Sequence, residues 1–167
     1  MSNLLRTRRA DLLLAGGIVV IDQIAKAVVR ATLPLYESVV VVPSLVNFTH
    51  VRNTGAAFGL LDSMDFPLKT PLLAVVAAAA LIAVGSYATG LAHHQRVART
   101  GLALIVGGAA GNLIDRIVSG SVVDFVDVYW RSYHFWAFNV ADSAITIGVV
   151  MMILDMLGSE KHVSEAA

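Results

Sequence analysis

Residues 107–143 read GGAAGNLIDRIVSGSVVDFVDVYWRSYHFWAFNVADS, and this stretch holds four of the chain's nine aspartates: Asp115, Asp124, Asp127 and Asp142. Carboxylates are concentrated here although charged residues make up only 14% of the chain. Two segments share the pattern Asn-x-x-Asp, one beginning at Asn112 and the other at Asn139. Because residues i and i+3 lie on one face of a helix, each segment places an amide beside a carboxylate. The pattern predicts a polar site built from two helices.

The composition is that of a membrane protein. Hydrophobic residues make up 57% of the 167 residues, and the mean hydropathy is +0.74. At about 20 residues per crossing, such a chain holds four transmembrane helices in a single polytopic domain, residues 1–167. The expected fold class is an all-α membrane protein with a small extracytoplasmic β-sheet cradle. We place the helices at about 12–33, 71–92, 97–118 and 139–157, and the extracytoplasmic segments at about 34–70 and 119–138.

Several function classes are excluded or disfavoured by composition. The net charge is zero and no basic stripe is present, so no nucleic-acid partner is expected. The chain has no cysteine, which excludes disulfides, thiolate catalysis and iron-sulfur ligation. Its five histidines are scattered and the zinc motif His-Glu-x-x-His is absent, so no metal or other cofactor is expected. A proton-coupled transporter would also use intramembrane carboxylates, but no inverted repeat is visible.

Two segments between the predicted helices have sequences typical of strands. Residues 37–51 are rich in Val, Thr and Phe and are interrupted at Pro43, which favours a small sheet outside the membrane. The stretch VVDFVDVYW at 122–130 indicates either a strand or an irregular amphipathic segment. Asn53 begins a turn-like run with two alternatives: it binds the backbone of a substrate, or it bonds its own turn.

The arginines predict the topology. Arg6, Arg8 and Arg9 precede the first helix, and His93, His94, Arg96 and Arg99 follow the second. By the positive-inside rule, both termini and this loop face the cytoplasm. Asp22 and Lys26 stand at i and i+4 with the acid first, the favourable order for an ion pair on a helix. Either the pair is structural, near the outer interface, or it holds a loop over the active site.

An aspartate at bilayer depth indicates a functional site, because burying its charge there costs roughly 2.5 to 3.5 kcal/mol. Two carboxylates can hydrolyse an amide if one is ionised and activates water while the other is protonated and polarises the carbonyl. Asp142 is the natural first member, since no cation stands near it in the sequence. Spacing leaves Asp115, Asp124 and Asp127 open for the second, and the apolar neighbours of Asp124 favour it. A dyad of Ser143 and Lys26 is conceivable, but Ser143 more simply bonds the end of its helix.

Five motifs together resemble the lipoprotein signal peptidases, signal peptidase II, and the resemblance covers residues 12–157. They are Asp22-Gln23-x-x-Lys26, Asn53-x-Gly55-x-Ala57-Phe58, Gly108-x-x-Gly111-Asn112-Leu-x-Asp115-Arg116, Val123-Asp124-Phe125 and Phe138-Asn139-x-Ala141-Asp142-Ser143. The resemblance implies an aspartic endopeptidase of the bacterial plasma membrane. Such enzymes remove the signal peptide of diacylglyceryl-modified prolipoproteins by cutting just before the lipidated cysteine.

The same resemblance implies roles for particular residues. The family's catalytic pair corresponds to Asp124 and Asp142. Its substrate-binding or supporting residues correspond to Asp22, Lys26, Asn53, Asn112, Asp115, Arg116 and Asn139. The implied partners are lipidated prolipoproteins and membrane lipid, the implied form is a monomer, and the active site is expected near the extracytoplasmic interface.

Overall fold

The structure is a computed structural model that describes residues 2–55, 68–92, 94–131 and 133–164. Its helices are α1 (Ser2–Thr32), α2 (Lys69–Gly90), α3 (Arg96–Ser119) and α4 (Val140–Ser164). Each contains a segment long and apolar enough to cross a membrane: Arg8–Thr32, Lys69–Ala88, Arg96–Ser119 and Val140–Leu157. With the four-stranded sheet described below, this confirms the predicted fold class. Ala57, Phe58 and His93, which the sequence analysis uses, lie outside the described residues.

Two helices are longer than hydropathy predicts. Helix α1 begins at Ser2 rather than near residue 12, and α4 continues to Ser164 rather than ending near residue 157. Hydropathy marks where a helix is apolar, whereas the backbone hydrogen bonds of a helix continue through polar residues. The apolar pattern therefore located the apolar segments of the helices but not the helix ends.

Helix α3 is central and packs against the other three helices. Glycines let its neighbours approach closely, as the run of small residues predicts. A Cβ at Gly108 would lie 2.4 Å from the carbonyl oxygen of Ala141 in α4, and one at Gly107 would lie 2.7 Å from that of Ala15 in α1. Both distances are too short for any side chain. Glycine at these positions is therefore required for α1, α3 and α4 to pack this tightly.

The strands form one antiparallel sheet in the order β1-β2-β3-β4, comprising Ser38–Val42, Val46–Asn53, Val122–Trp130 and Tyr133–His134. The interruption expected at Pro43 is the turn between β1 and β2. The stretch 122–130 is a regular strand rather than an irregular segment. Gly120 has φ +73°, a left-handed conformation that ends α3 and turns the chain directly into β3. This turn brings the start of β3 beside the last turns of α3.

Candidate active site

Asp124 and Asp142 come from different elements and meet at Asn139. Asp124 is the third residue of β3 and only 3% exposed, and Asp142 is the third residue of α4 and half-buried. The side-chain amide of Asn139 donates from Nδ2 to Oδ1 of Asp124 at 2.7 Å. The backbone N–H of Asn139 donates to Oδ2 of Asp142 at 3.2 Å. One asparagine therefore holds both carboxylates in a single site.

Asn139 is also the N-terminal cap of α4. Its Oδ1 accepts the backbone N–H of Asp142 at 2.9 Å, while Asp142 bonds back to the N–H of Asn139. This reciprocal pair has the geometry of a capping box. Since Oδ1 is fixed by a backbone donor, Nδ2 must face Asp124, and the amide orientation is unambiguous. The start of α4 thus fixes the position of Asp142.

Asn53 holds the other oxygen of Asp124. Its Oδ1 accepts the backbone N–H of Gly55 at 2.9 Å, and its Nδ2 donates to Oδ2 of Asp124 at 3.0 Å. Asn53 therefore bonds its own turn, one of the two alternatives from the sequence, and that bond aims its amide at the carboxylate. Each carboxylate oxygen of Asp124 therefore accepts a hydrogen bond from a side-chain amide, Oδ1 from Asn139 and Oδ2 from Asn53.

Asn112 connects Asp142 to a buried lysine. Its Nδ2 donates to Oδ1 of Asp142 at 2.8 Å, and its Oδ1 accepts Nζ of Lys26 at 2.8 Å. The same oxygen accepts Nδ2 of Asn139 at 3.2 Å. Asn112 and Asn139 therefore bond each other as well as the two carboxylates, and the site is one connected network.

Lys26 is fully buried, with 0% exposure, and its ammonium has three acceptors. They are Asp22 at 2.8 Å, Asp115 at 2.9 Å and Asn112 at 2.8 Å. An ammonium has three N–H donors, so every donor can be satisfied. Burying a lysine requires such pairing, because an unpaired charge would be very costly.

Asp22 and Asp115 are the two carboxylates paired with Lys26, and each also accepts a backbone N–H. In each case that N–H belongs to the residue before a candidate catalytic aspartate. Oδ1 of Asp22 accepts the N–H of Ala141 at 2.9 Å, directly before Asp142. Oδ2 of Asp115 accepts the N–H of Val123 at 3.3 Å, directly before Asp124. Lys26 is therefore linked to the backbone on both sides of the site.

Arg116 connects the turn at Gly55 to α3. Its guanidinium donates to the carbonyl oxygens of Gly55 at 3.1 Å and Asn112 at 3.3 Å. Gly55 is thus held from both sides, by Asn53 at its N–H and by Arg116 at its carbonyl oxygen. A short distance away, Nζ of Lys69 donates to Oγ1 of Thr54 at 3.0 Å and ties the start of α2 to this turn.

Burial shapes the electrostatics of Asp124. Removal from water and, second, the neighbouring charge of Asp142 together raise the pKa of Asp124 to about 7. Hydrogen bonds from Asn53 and Asn139 and the charge of Lys26 act in the opposite direction. Asp124 therefore exchanges its proton near neutral pH, as acid-base chemistry requires.

The structure places the three aspartates left open by the sequence in different surroundings. Asp127 lies outside the cluster, where it binds Nδ2 of Asn47 at 3.0 Å and Nδ1 of His134 at 2.9 Å. It is three residues from Asp124 on the same strand, and successive side chains alternate between the two faces. Asp115 forms a salt bridge with Lys26. Asp124, in contrast, shares Asn139 with Asp142.

The proposed serine–lysine pair does not form. The hydroxyl of Ser143 donates to the carbonyl oxygen of Asn139 at 2.9 Å, and all three donors of Lys26 are already used. Ser143 is the helix-end hydrogen bonder that the simpler interpretation expected. Within the described part of the chain, no group of three or more His, Cys, Asp or Glu residues could hold a metal ion.

One contributor was missed by the sequence analysis. Nε2 of Gln23 donates to the carbonyl oxygen of Gly111 at 3.1 Å and to Oδ1 of Asp115 at 3.2 Å. Gln23 occurs in one of the quoted motifs but was given no role. Its i, i+3 spacing to Lys26 places it on the same helix face, and that spacing is the signal that could have identified it.

The chain is similar to known proteins over most of its length. The family described as signal peptidase (SPase) II matches residues 14–158. The lipoprotein signal peptidase of Geobacter metallireducens is 47% identical over 146 residues, covering 87% of this chain and 89% of the relative. That of Pseudomonas aeruginosa strain PAO1 is 45% identical over 151 residues, covering 89% and 87%.

Two solved structures, both described as bacterial membrane enzymes, have the same fold. One superposes with a TM-score of 0.82 at 33% identity, covering 92% of this chain and 90% of the other. The second gives a TM-score of 0.79 at 34% identity, covering 89% and 92%. Four membrane-spanning helices, a small sheet, and sequence identity across most of both chains lead to one conclusion: this chain belongs to the signal peptidase II family, the lipoprotein signal peptidases.

Proposed function

We propose that this chain is an aspartic endopeptidase in which Asp124 and Asp142 cleave a peptide bond. The observation that carries the proposal is the bridging of both carboxylates by Asn139, at 2.7 Å and 3.2 Å. Two carboxylates in one partly buried site divide into a protonated and an ionised member, because ionising both is costly. This is the state that hydrolysis by a carboxylate pair requires.

The two carboxylates take different roles. Asp124 carries the shared proton, since burial raises its pKa to about 7, and it donates a hydrogen bond to the carbonyl oxygen of the scissile bond. Asp142 is ionised and takes a proton from the attacking water. When the tetrahedral intermediate collapses, that proton passes to the leaving nitrogen. The pair therefore returns to its starting state after each turnover.

The other residues position this pair. Asn53, Asn112 and Asn139 donate to the carboxylates and fix their planes. Asp22, Lys26 and Asp115 fix the backbone before each catalytic residue. Arg116 holds the turn at Gly55, beside the space that a substrate peptide would occupy. Preorganisation of this kind keeps the reacting groups in productive geometry without further ordering.

The depth of the site suits a lipidated substrate. Asp142 lies in the first turn of α4, and Asp124 lies in a strand just beyond α3, so both stand at one end of the membrane crossings. A diacylglyceryl-modified prolipoprotein cannot leave the bilayer, and its scissile bond stays near the interface. We propose that cleavage occurs there, just before the lipidated cysteine, and releases the signal peptide.

The proposed setting is the bacterial plasma membrane, with both termini in the cytoplasm and the sheet on the extracytoplasmic side. The arginines in the first turns of α1 and at the start of α3 support this orientation. The site and the sheet then face the compartment to which lipoproteins are exported. The chemistry proposed needs only water and carboxylates.

The test is cleavage of a lipidated prolipoprotein by the purified chain in detergent, with mass spectrometry of both products. We expect a single cut before the lipidated cysteine, unchanged by a strong chelator, while the same peptide without its lipid is cleaved far more slowly. Loss of cleavage in chelator that is restored by zinc would overturn the aspartic mechanism. A cut at another position would overturn the proposed substrate.

A further inference from the structure

A cavity lies at the opposite end of the helices from Asp124. It has a volume of about 300 Å³, within the range of small-ligand sites. Its lining residues come from the first half of α1, the second half of α2 and the start of α3, so it occupies the cleft between α1 and α2 with α3 behind it. Arg99 in this cavity and Asn112 in the candidate active site are thirteen residues apart on α3, which is about 20 Å. The two sites are therefore separate.

The lining combines apolar walls with charge at one end. Leu12, Leu102 and Val106 are among the wall residues, while the charged residues are Arg8, Asp11 and Arg99. Two arginines against one aspartate leave the charged end net positive. A cavity with an apolar length and a cationic end matches an amphiphile with an anionic head.

Arg99 is built into this site rather than lying on the surface. Its side chain is only 5% exposed and pairs with Asp11, yet its Nε–H is buried with no hydrogen-bond partner among the residues that the structure describes. A buried donor without a partner costs about 1 to 3 kcal/mol, so Arg99 is held at this position at a cost in stability. An anionic group bound beside Arg8 and Arg99 would offset the excess positive charge at this end of the cavity.

We propose that this cleft binds an anionic phospholipid, with the phosphate at Arg8 and Arg99 and an acyl chain along the apolar walls. Basic pockets between transmembrane helices bind anionic headgroups, and arginine is the side chain best suited to phosphate. The cleft lies between two membrane-crossing helices, so bilayer lipid is the ligand at highest local concentration. The bound lipid joins α1 to α2 at this end of the protein.

Gly85 allows the cavity to be filled without distorting the protein. It lines the cavity from α2, and a Cβ added there would meet no heavy atom within 4 Å. Gly85→Leu should therefore occupy the acyl-chain space while improving helix propensity. Gly90→Leu is the matched control, since Gly90 is in the same helix, is equally open and is not among the cavity's lining residues.

The experiment is native mass spectrometry of the full chain in detergent with added dioleoyl phosphatidylglycerol or dioleoyl phosphatidylcholine. We expect the unaltered chain and Gly90→Leu to retain one phosphatidylglycerol at least tenfold more tightly than phosphatidylcholine. Gly85→Leu should lose that binding at least tenfold. In Arg8→Gln the affinity for phosphatidylglycerol should fall towards that for phosphatidylcholine, which tests the charged end of the cavity with both Arg99 and Asp11 left unsubstituted.

Three results would overturn the proposal. Equal binding of the two lipids by the unaltered chain would exclude an anion-selective site. Undiminished phosphatidylglycerol binding by Gly85→Leu would place the lipid elsewhere. Displacement of the lipid by millimolar inorganic phosphate would identify a site for free anions rather than for lipid. The measurement needs no turnover, so its outcome is independent of the proposed peptidase mechanism.

Discussion

Asp22 accepts the backbone N–H of Ala141 at 2.9 Å, across 119 residues of sequence. Ala141 is the second residue of α4, where the N–H has no partner within its own helix. The bond therefore satisfies a free donor, places negative charge at the positive end of the helix dipole, and fixes the residue before Asp142. A carboxylate in the middle of α1 thus sets the position of a proposed catalytic group on α4.

Replacement of either proposed catalytic residue should abolish turnover but not folding. Asp124→Asn and Asp142→Asn preserve shape while removing proton transfer, a function worth roughly 10²- to 10⁴-fold in rate. We expect both variants to be purified in normal yield and to bind lipidated substrate without cleaving it. Initial rates and substrate pull-down test this. Near-normal cleavage by Asp124→Asn would show that Asp124 is not the second catalytic residue.

Asp115→Asn should act mainly on stability. Asp115 holds Lys26 and the backbone N–H of Val123, and breaking a buried charge network by removing one partner costs about 3 to 5 kcal/mol. We expect a clearly lower melting temperature in detergent. Asp127→Asn, on the other face of β3, is the matched control and should change neither melting nor rate strongly. A stable, substrate-binding and inactive Asp115→Asn would instead make Asp115 catalytic.

Lys26→Met should be among the most destabilising single changes, because it leaves Asp22 and Asp115 buried without their cation. The expected loss is about 3 to 5 kcal/mol. Adding Asp22→Asn to Lys26→Met removes one of the stranded charges, so the double variant should lose less stability than the sum of the single changes. The coupling free energy between the two residues follows from the melting temperatures of Lys26→Met, Asp22→Asn and the double variant. Strict additivity would contradict a shared network.

Activity should depend on the ionisation of Asp124. Its pKa, raised to about 7 by burial and by the charge of Asp142, marks where the proton donated to the substrate carbonyl is lost. The pH dependence of kcat/KM reports the pKa values of the free enzyme. We therefore expect kcat/KM to fall tenfold per pH unit above about pH 7. A flat profile from pH 6 to pH 9 would contradict this role.

The same shift predicts a stability trend. A carboxyl with a folded-state pKa above its ordinary value binds its proton more tightly when folded. That contribution is fully present below about pH 4 and is lost as pH rises towards 7. As pH rises from about 4 to 7, the melting temperature of Asp124→Asn should therefore increase relative to that of the unaltered chain. A difference independent of pH would argue against the shift.

Cysteine labelling tests the topology in this cysteine-free chain. Val40→Cys lies on exposed β1, and Gln95→Cys lies between α2 and α3. In intact cells with the outer layers permeabilised, a membrane-impermeant maleimide should label position 40 only. Labelling of position 95 should require disruption of the plasma membrane. Labelling of both positions from one side would contradict the four-crossing orientation.

Hydrophobicity indicates the four helices that are long and apolar enough to cross a membrane, because a crossing must match the bilayer thickness whatever the tertiary contacts are. Sequence reasoning also identified Asp22 and Lys26 as a pair, because their contact lies within one helix at 2.8 Å. Contacts between elements could not be read in this way. Lys26 meets Asn112 across 86 residues, and no local pattern encodes that distance.

The choice among the aspartates shows the same limit. Asp115, Asp124 and Asp127 lie within thirteen residues, and spacing alone did not separate them. The left-handed turn at Gly120 and the alternation of side chains along β3 decide which of them faces Asn139. Both features depend on backbone direction after α3, which the sequence pattern indicated only as a strand or an irregular segment.

The ion pair within α1 has a consequence for how the protein is made. Asn112 follows Lys26 by 86 residues and Ala141 follows Asp22 by 119. At a ribosomal rate of about 5 to 20 residues per second, α1 waits roughly 5 to 25 seconds for these partners. During that interval Asp22 and Lys26, one helical turn apart, can only neutralise each other. The first helix thus carries the counter-ion it needs to enter the bilayer, and the pair keeps its 2.8 Å contact when it gains further contacts to α3 and α4.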